Sequence, residues 1–127
     1  MDTIYAEITL RNEYDVACAR HGYLDDNEIR TVSVTAVVDT GVHSLMIDEK
    51  TMQKLGLVAT GEQGVRTDGG EHMLCPVTEV VEIQWKDRQT VMRAVAVPGL
   101  PQTLLGALPL EDMNLVVHPS RNELVIQ

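Results

Sequence analysis

The sequence predicts an all-β domain with one or two short helices, and three observations predict it. Residues 31–38, Thr-Val-Ser-Val-Thr-Ala-Val-Val, alternate polar with apolar and are rich in β-branched side chains, the pattern of a strand with one face on a core. Turn signals recur between such runs, at Asp68-Gly69-Gly70, at Lys86-Asp87-Arg88 and at Pro98 and Pro101. Helical signals are few, the clearest being Asp48, placed to cap "EKTMQKL", with Gly56 as the stop.

A first strand is expected over Ile4 to Leu10, where polar and apolar residues nearly alternate. The segment "NEYDVACARHG" is rich in Ala and closes on Gly22, which predicts a short helix with glycine just past its end. The charged stretch "YLDDNEIR" reads as an exposed linker to the second strand, which ends at Asp39. In the capped helix after Ile47, Glu49 sits in the positive first turn, and Ile47 and Met52 occupy the positions of a hydrophobic staple. "GVRTDGGEHML" predicts a hairpin, because glycines supply the positive φ angles of a tight turn. "TEVVEIQW" and "QTVMRAVAVPG" predict another. The remainder, "TLLGALPLEDMNLVVHPSRNELVIQ", predicts a short apolar strand, a brief helix after Gly106 and a terminal pair of strands around "HPSRN". There is no internal repeat.

Composition narrows the function classes. The 127 residues are 44% apolar and 23% charged, and residues 1–127 read as a single domain. A chain of this size buries roughly 65% or more of its unfolded surface without needing disulfides. Cys18 and Cys75, far apart and without metal-ligand spacing, read as small buried hydrophobes. The start "MDTIYAEITL" is acidic and alternating, unlike a signal peptide, so the expectation is a cytoplasmic protein. No run approaches the roughly 20 apolar residues of a membrane span. A formal charge of −9 disfavours nucleic acid and anionic membrane surfaces as partners, and no Phe, one Trp and three Tyr leave few platforms for stacking bases. His21, His43, His72 and His118 lack the spacing of a zinc site, and neither a Gly-x-Ser-x-Gly elbow nor a phosphate-binding glycine loop occurs. No metal and no cofactor are expected.

The stretch "AVVDTGVHSLMI" carries the chemistry. It places Asp39-Thr40-Gly41 at the end of a β-branched strand, ahead of a capped helix, with an Asp-Gly hairpin and Leu104-Leu105-Gly106 downstream. Alone, the triplet is weak, since a turn aspartate at a strand end is common. In that order, the whole resembles the retropepsin-like aspartic proteases, in particular their small single-domain bacterial members. The likeness runs nearly end to end, through "YAEITL", "AVVDTG", "KLGL", "TDGG", "VEIQW...TVMRAVAVPG" and "LLGALPLEDMNLVVHPSRNELV".

That resemblance implies a single-lobe acid-protease fold, a closed β barrel, and an endopeptidase that hydrolyses peptide bonds with water and no covalent intermediate. It implies that Asp39 is catalytic, that Thr40 braces the two active loops across a two-fold axis, and that Gly41 leaves room for the substrate backbone. Val42, His43, Leu104, Leu105 and Gly106 would contact substrate or support the cleft, and Asp68, Gly69 and Gly70 would form the closing flap. The chemistry needs two facing carboxylates, one ionised and one protonated, because two like charges so close share one proton. The chain has one such triplet. The expected species is therefore a homodimer with one Asp39 from each subunit, acting on an extended peptide or protein. Relatives usually carry Ala or Ser where this chain has Val42, and retroviral members carry Asp where it has His43. Retroviral members also place Arg, and many bacterial ones Asp, near Ala107-Leu108. Val42 and His43 motivate the alternative of a dimer that keeps the protease fold and binds peptide without cutting it. His43, next to the expected cleft, is a candidate for pH-dependent contact with the peptide; its bland reading is an exposed loop histidine.

Overall fold

The structure, a computed structural model, describes residues 3–66 and 69–127. Its elements run β1 (Tyr5–Asn12), α1 (Glu13–Arg20), a 3-10 turn (Asp26–Glu28), β2 (Thr31–Val38), β3 (Leu45–Ile47), α2 (Glu49–Lys54), β4 (Ala59–Arg66), β5 (His72–Trp85), β6 (Arg88–Ala96), β7 (Leu104–Leu105), α3 (Ala107–Asp112), β8 (Leu115–His118) and β9 (Glu123–Ile126). The all-β expectation holds. α1, α2 and α3 are all short, and each lies where the sequence placed a helix.

Seven strands form one sheet in the order β1-β2-β7-β3-β6-β5-β4, and β1 also pairs with β5, so the sheet closes into a ring with β4 outside it. Strands β8 and β9 form a separate two-stranded sheet. Inside the ring the inward phase of each strand packs the main core, with Leu10, Leu45, Ile47, Val81, Ile83 and Leu105 wholly buried. A smaller cluster of Cys75, Val95 and Val97, flanked by Met46, Val65, Met73, Val77 and Leu100, lies apart from it.

Local signals explain the helices. The Asn12 side chain accepts from Asp15 N–H to cap α1, and that of Asp48 accepts from Thr51 N–H to cap α2. Both end in a glycine with positive φ, Gly22 at 82° and Gly56 at 62°. Behind each lies the paired Schellman bonding, Gly22 N–H to Ala19 and Tyr23 N–H to Cys18, then Gly56 N–H to Gln53 and Leu57 N–H to Met52. Buried Asn12 also donates from Nδ2 to Leu55 O at 2.8 Å, so one side chain ties the start of α1 to the end of α2. Nearby, Arg30 grips Asp15 through Nε at 2.8 Å and Nη2 at 2.9 Å.

Three details depart from the sequence reading. The strand after the glycine turn and "TEVVEIQW" are one strand, β5, of 14 residues, bent by an irregularity between Val77 and Val80. Arg88, assigned to a turn, opens β6 opposite Trp85, leaving Lys86-Asp87 as the connection with Lys86 at φ 51°. Of the two cysteines, Cys75 is buried and Cys18 only half-buried.

Candidate active site

Asp39 leaves the end of β2 and enters a loop, 39–44, that leads into β3. The two-residue strand β7 is wedged between the strand entering this loop and the strand leaving it. It runs parallel to β2, with Val37 opposite Leu104 and Val38 opposite Leu105, and antiparallel to β3, with Leu45 opposite Leu105. Val37 N–H donates to Thr103 O at 2.8 Å and Asp39 N–H to Leu105 O at 3.0 Å.

Beyond β7 the chain closes a clamp. Gly106 N–H donates to Ser44 O, Ala107 N–H to Val42 O and Leu108 N–H to His43 O, each at 2.8 Å. These amides begin α3, whose first N–H groups have no partner within the helix and whose N-cap, Gly106, has no side chain to offer. The loop carbonyls take that capping role, so the start of the helix and the shape of the loop are one arrangement. Gly106 is glycine for space rather than for φ: an added Cβ would lie 2.3 Å from Ser44 O and 2.4 Å from Val42 O.

Within the loop, Asp39 Oδ1 accepts Gly41 N–H at 3.0 Å, and Val42 N–H donates to Asp39 O at 3.1 Å. The turn-aspartate contact and an available second oxygen therefore coexist, since Oδ2 has no partner among the described residues. Asp39 is half-buried, Thr40, Gly41 and His43 are exposed, and Val42 is half-buried. Ser44 Oγ donates to Arg93 O at 3.2 Å, which joins the loop to β6.

The candidate residues fall into groups. Asp39, Thr40, Gly41, Val42 and His43 lie in the loop, and Leu104, Leu105 and Gly106 support it from behind. Leu105 is wholly buried in the main core, whereas Leu104 is half-buried on the opposite face. Gly69 and Gly70 occupy the exposed turn between β4 and β5, with Gly70 at φ 81°; Asp68 lies outside the described residues. At the base of that turn Arg66 Nη2 and His72 Nε2 are 3.4 Å apart.

Register exposes residues that the motif search missed. Val37 faces Leu104, Leu104 faces Met46, Met46 faces Val95 and Val95 faces Val77, an apolar row across five strands on the face away from the main core. The row ends under the β4–β5 hairpin, against Val65 and Met73. Its signal was the second apolar phase of β3 and β6, since Met46 and Val95 alternate with residues bound for the core. No group of His, Cys, Asp and Glu among the described residues could hold a metal ion.

The model of a family described as aspartyl protease matches residues 25–108, from the linker before β2 through the clamp. The chain belongs to the aspartyl protease family. Among solved structures, the retroviral protease-like domain of Ddi1 from Leishmania major is similar over 100% of this chain and 90% of its own, at 14% identity and a TM-score of 0.61. A retropepsin-like aspartic protease from Rickettsia conorii matches at 18% identity over 93% of this chain and 89% of its own, with a TM-score of 0.48. No curated protein sequence matches this chain. The retropepsin-like fold is the one the sequence resembled.

Proposed function

We propose that the chain is an endopeptidase that works as a homodimer, with residues 1–127 acting as one domain and Asp39 of each subunit supplying half of a catalytic dyad. The observation that carries this reading is the clamped loop: a half-buried carboxylate with one uncommitted oxygen, held by backbone bonds from Leu105 and α3, in an aspartyl protease family member with one triplet. A lone carboxylate on an open surface cannot both take a proton from water and give one to a carbonyl. Two of them sharing a proton across a two-fold axis can. The ionised member removes a proton from the attacking water while the other protonates the carbonyl oxygen. Collapse of the tetrahedral diol returns one hydroxyl proton to the carboxylate that had protonated the carbonyl and expels the amine, which takes up the proton held by the other, so the dyad again holds one proton.

Further features support the dimer. The Thr40 hydroxyl is exposed and without a partner among the described residues, as a group that bonds across an axis would be in one isolated chain. Beside it a cavity of about 380 Å³ is lined by Thr3, Ile4, Val37, Val38, Val117 and Pro119. On the adjoining β8–β9 sheet Ile126, on the same face as Val117, is exposed at 45%. A second copy seated there would cover apolar surface and bring the two loops together. The β4–β5 hairpin would close over the peptide and exclude water.

The test is cleavage of a diverse peptide library between about pH 3.5 and 7.5, wild type beside Asp39→Asn, with the native mass of both recorded. Turnover by a wild-type dimer, lost in an equally dimeric variant, is the expected result. A folded wild-type dimer that cuts nothing rejects the enzyme reading.

A further inference from the structure

Where the loop meets β6 it lies next to an exposed arginine, Arg93. His43 is exposed four residues after Asp39, and the Ser44 hydroxyl is bonded to the Arg93 carbonyl. Residues 44 and 93 continue the parallel register in which Leu45 faces Ala94 and Met46 faces Val95. By strand alternation Arg93 shares the sheet face of Val95, one side-chain step along β6, while the Ser44 hydroxyl lies between the Arg93 carbonyl and Met92 Sδ, 3.7 Å away. The apolar row thus gives way to a polar, cationic rim.

Arg93 is not there to hold the fold. It is exposed, and among the described residues it has no ion pair, whereas Arg11, Arg20, Arg30 and Arg121 each have a carboxylate partner. Across β5 it faces Val80, and the nearest acidic position on that face, Glu82 opposite Val91, is already bound to Arg11 at 2.7 Å. In a chain of net charge −9, an arginine without an ion pair, on the strand to which the carboxylate loop is bonded, leaves room for a negative group from outside.

We propose that His43, Ser44 and Arg93 form a cationic subsite that selects an acidic side chain in the bound peptide, close to but not at the scissile bond. The proposal rests on the protease reading for its account of where the peptide lies. An extended peptide over the loop sends alternate side chains to the same side, so one of them reaches this rim while a neighbour meets the apolar row. Arg93 supplies a permanent charge and the His43 ring a further polar contact, the Ser44 hydroxyl ties the loop to the Arg93 carbonyl, and Met46 gives the apolar floor beside them. The substrate class is then a peptide pairing one bulky apolar residue with an Asp or Glu nearby.

The experiment measures both binding and turnover of peptides carrying Glu, Gln or Lys at each position around the bond cut, in wild type, Arg93→Gln and Arg93→Glu. In wild type, Glu binds better than Gln at one position by about two- to fivefold, the range of a solvent-accessible ion pair, and the advantage shrinks with added salt. Arg93→Gln abolishes the difference, and Arg93→Glu reverses it toward Lys, which general damage to the cleft does not do. Equal binding of Glu and Gln at every position, an undiminished preference in Arg93→Gln, or no binding of any peptide overturns the subsite. Binding with the expected charge preference but no cleavage retains the subsite and rejects the enzyme.

Discussion

At Gly106 the constraint is a distance, and it yields a sharp prediction. Because an added methyl would meet two backbone oxygens at 2.3 and 2.4 Å, Gly106→Ala has to push the 42–44 loop away from α3. The expected cost is about 1–3 kcal/mol, as for other overpacked sites, with peptide cleavage falling more than stability because Asp39 shares the displaced loop. Thermal melts and turnover measured together decide it, and unchanged turnover refutes the coupling. Charged side chains set a second prediction. Hydrogen bonding to Arg30 holds the Asp15 carboxyl below its usual range, and the bond with Thr51 does the same for Asp48. A carboxyl depressed in the folded state adds stability above its unfolded value, about 4, and loses it as pH falls through the lower folded value. The wild-type melting temperature should therefore drop below about pH 4, and Asp15→Asn, already weakened at neutral pH, should show a shallower drop. Parallel curves would contradict this account.

Among elements, the most interdependent is α1, which has only eight residues and draws its stability from its ends and contacts. Asn12 serves two elements, capping α1 and bonding the Leu55 carbonyl at the end of α2. Asn12→Ala removes a cap and strands a buried acceptor, for an expected loss of about 2–4 kcal/mol, against about 1 kcal/mol for the single cap lost in Asp48→Ala. Denaturant unfolding of the two variants checks the ranking, and equal losses would mean the link to Leu55 contributes nothing. The β4–β5 hairpin has a different character. Its β4 strand is exposed along nearly its whole length, and it touches the rest mainly through the small cluster around Cys75. Few buried contacts and an open outer edge assign it to the part of the fold that opens most readily. Amide exchange there should be faster than in β2 or β6.

For the molecule as a whole, the proposed half-site makes activity a function of association. Specific activity should fall on dilution in step with the native mass, since a monomer has one Asp39. Ile126→Asp, at an exposed position on the Val117 face of the β8–β9 sheet, places a charge on the surface assigned to the partner. It should weaken dimerisation at least tenfold with little change in the monomer's melting temperature, read by analytical ultracentrifugation. A variant that dimerises and cleaves normally would move the interface elsewhere.

Much of this was legible in residue order. The alternation of Thr31 to Val38, the cap at Asp48 and the glycines at 22 and 56 act over a few residues, so their consequences were readable locally and recur in the structure. The Asp39-Thr40-Gly41 triplet and its order with Leu104-Leu105-Gly106 identified the loop and its support. Tertiary structure decided the rest. That Leu104 turns outward while Leu105 is buried, that α3 is capped by loop carbonyls, and that Arg93 stands beside Ser44 all depend on register between strands as far apart as Val37 and Leu104. Register is set by ring closure and by the competition of two apolar faces for one core, and neither is written in any short stretch of the chain.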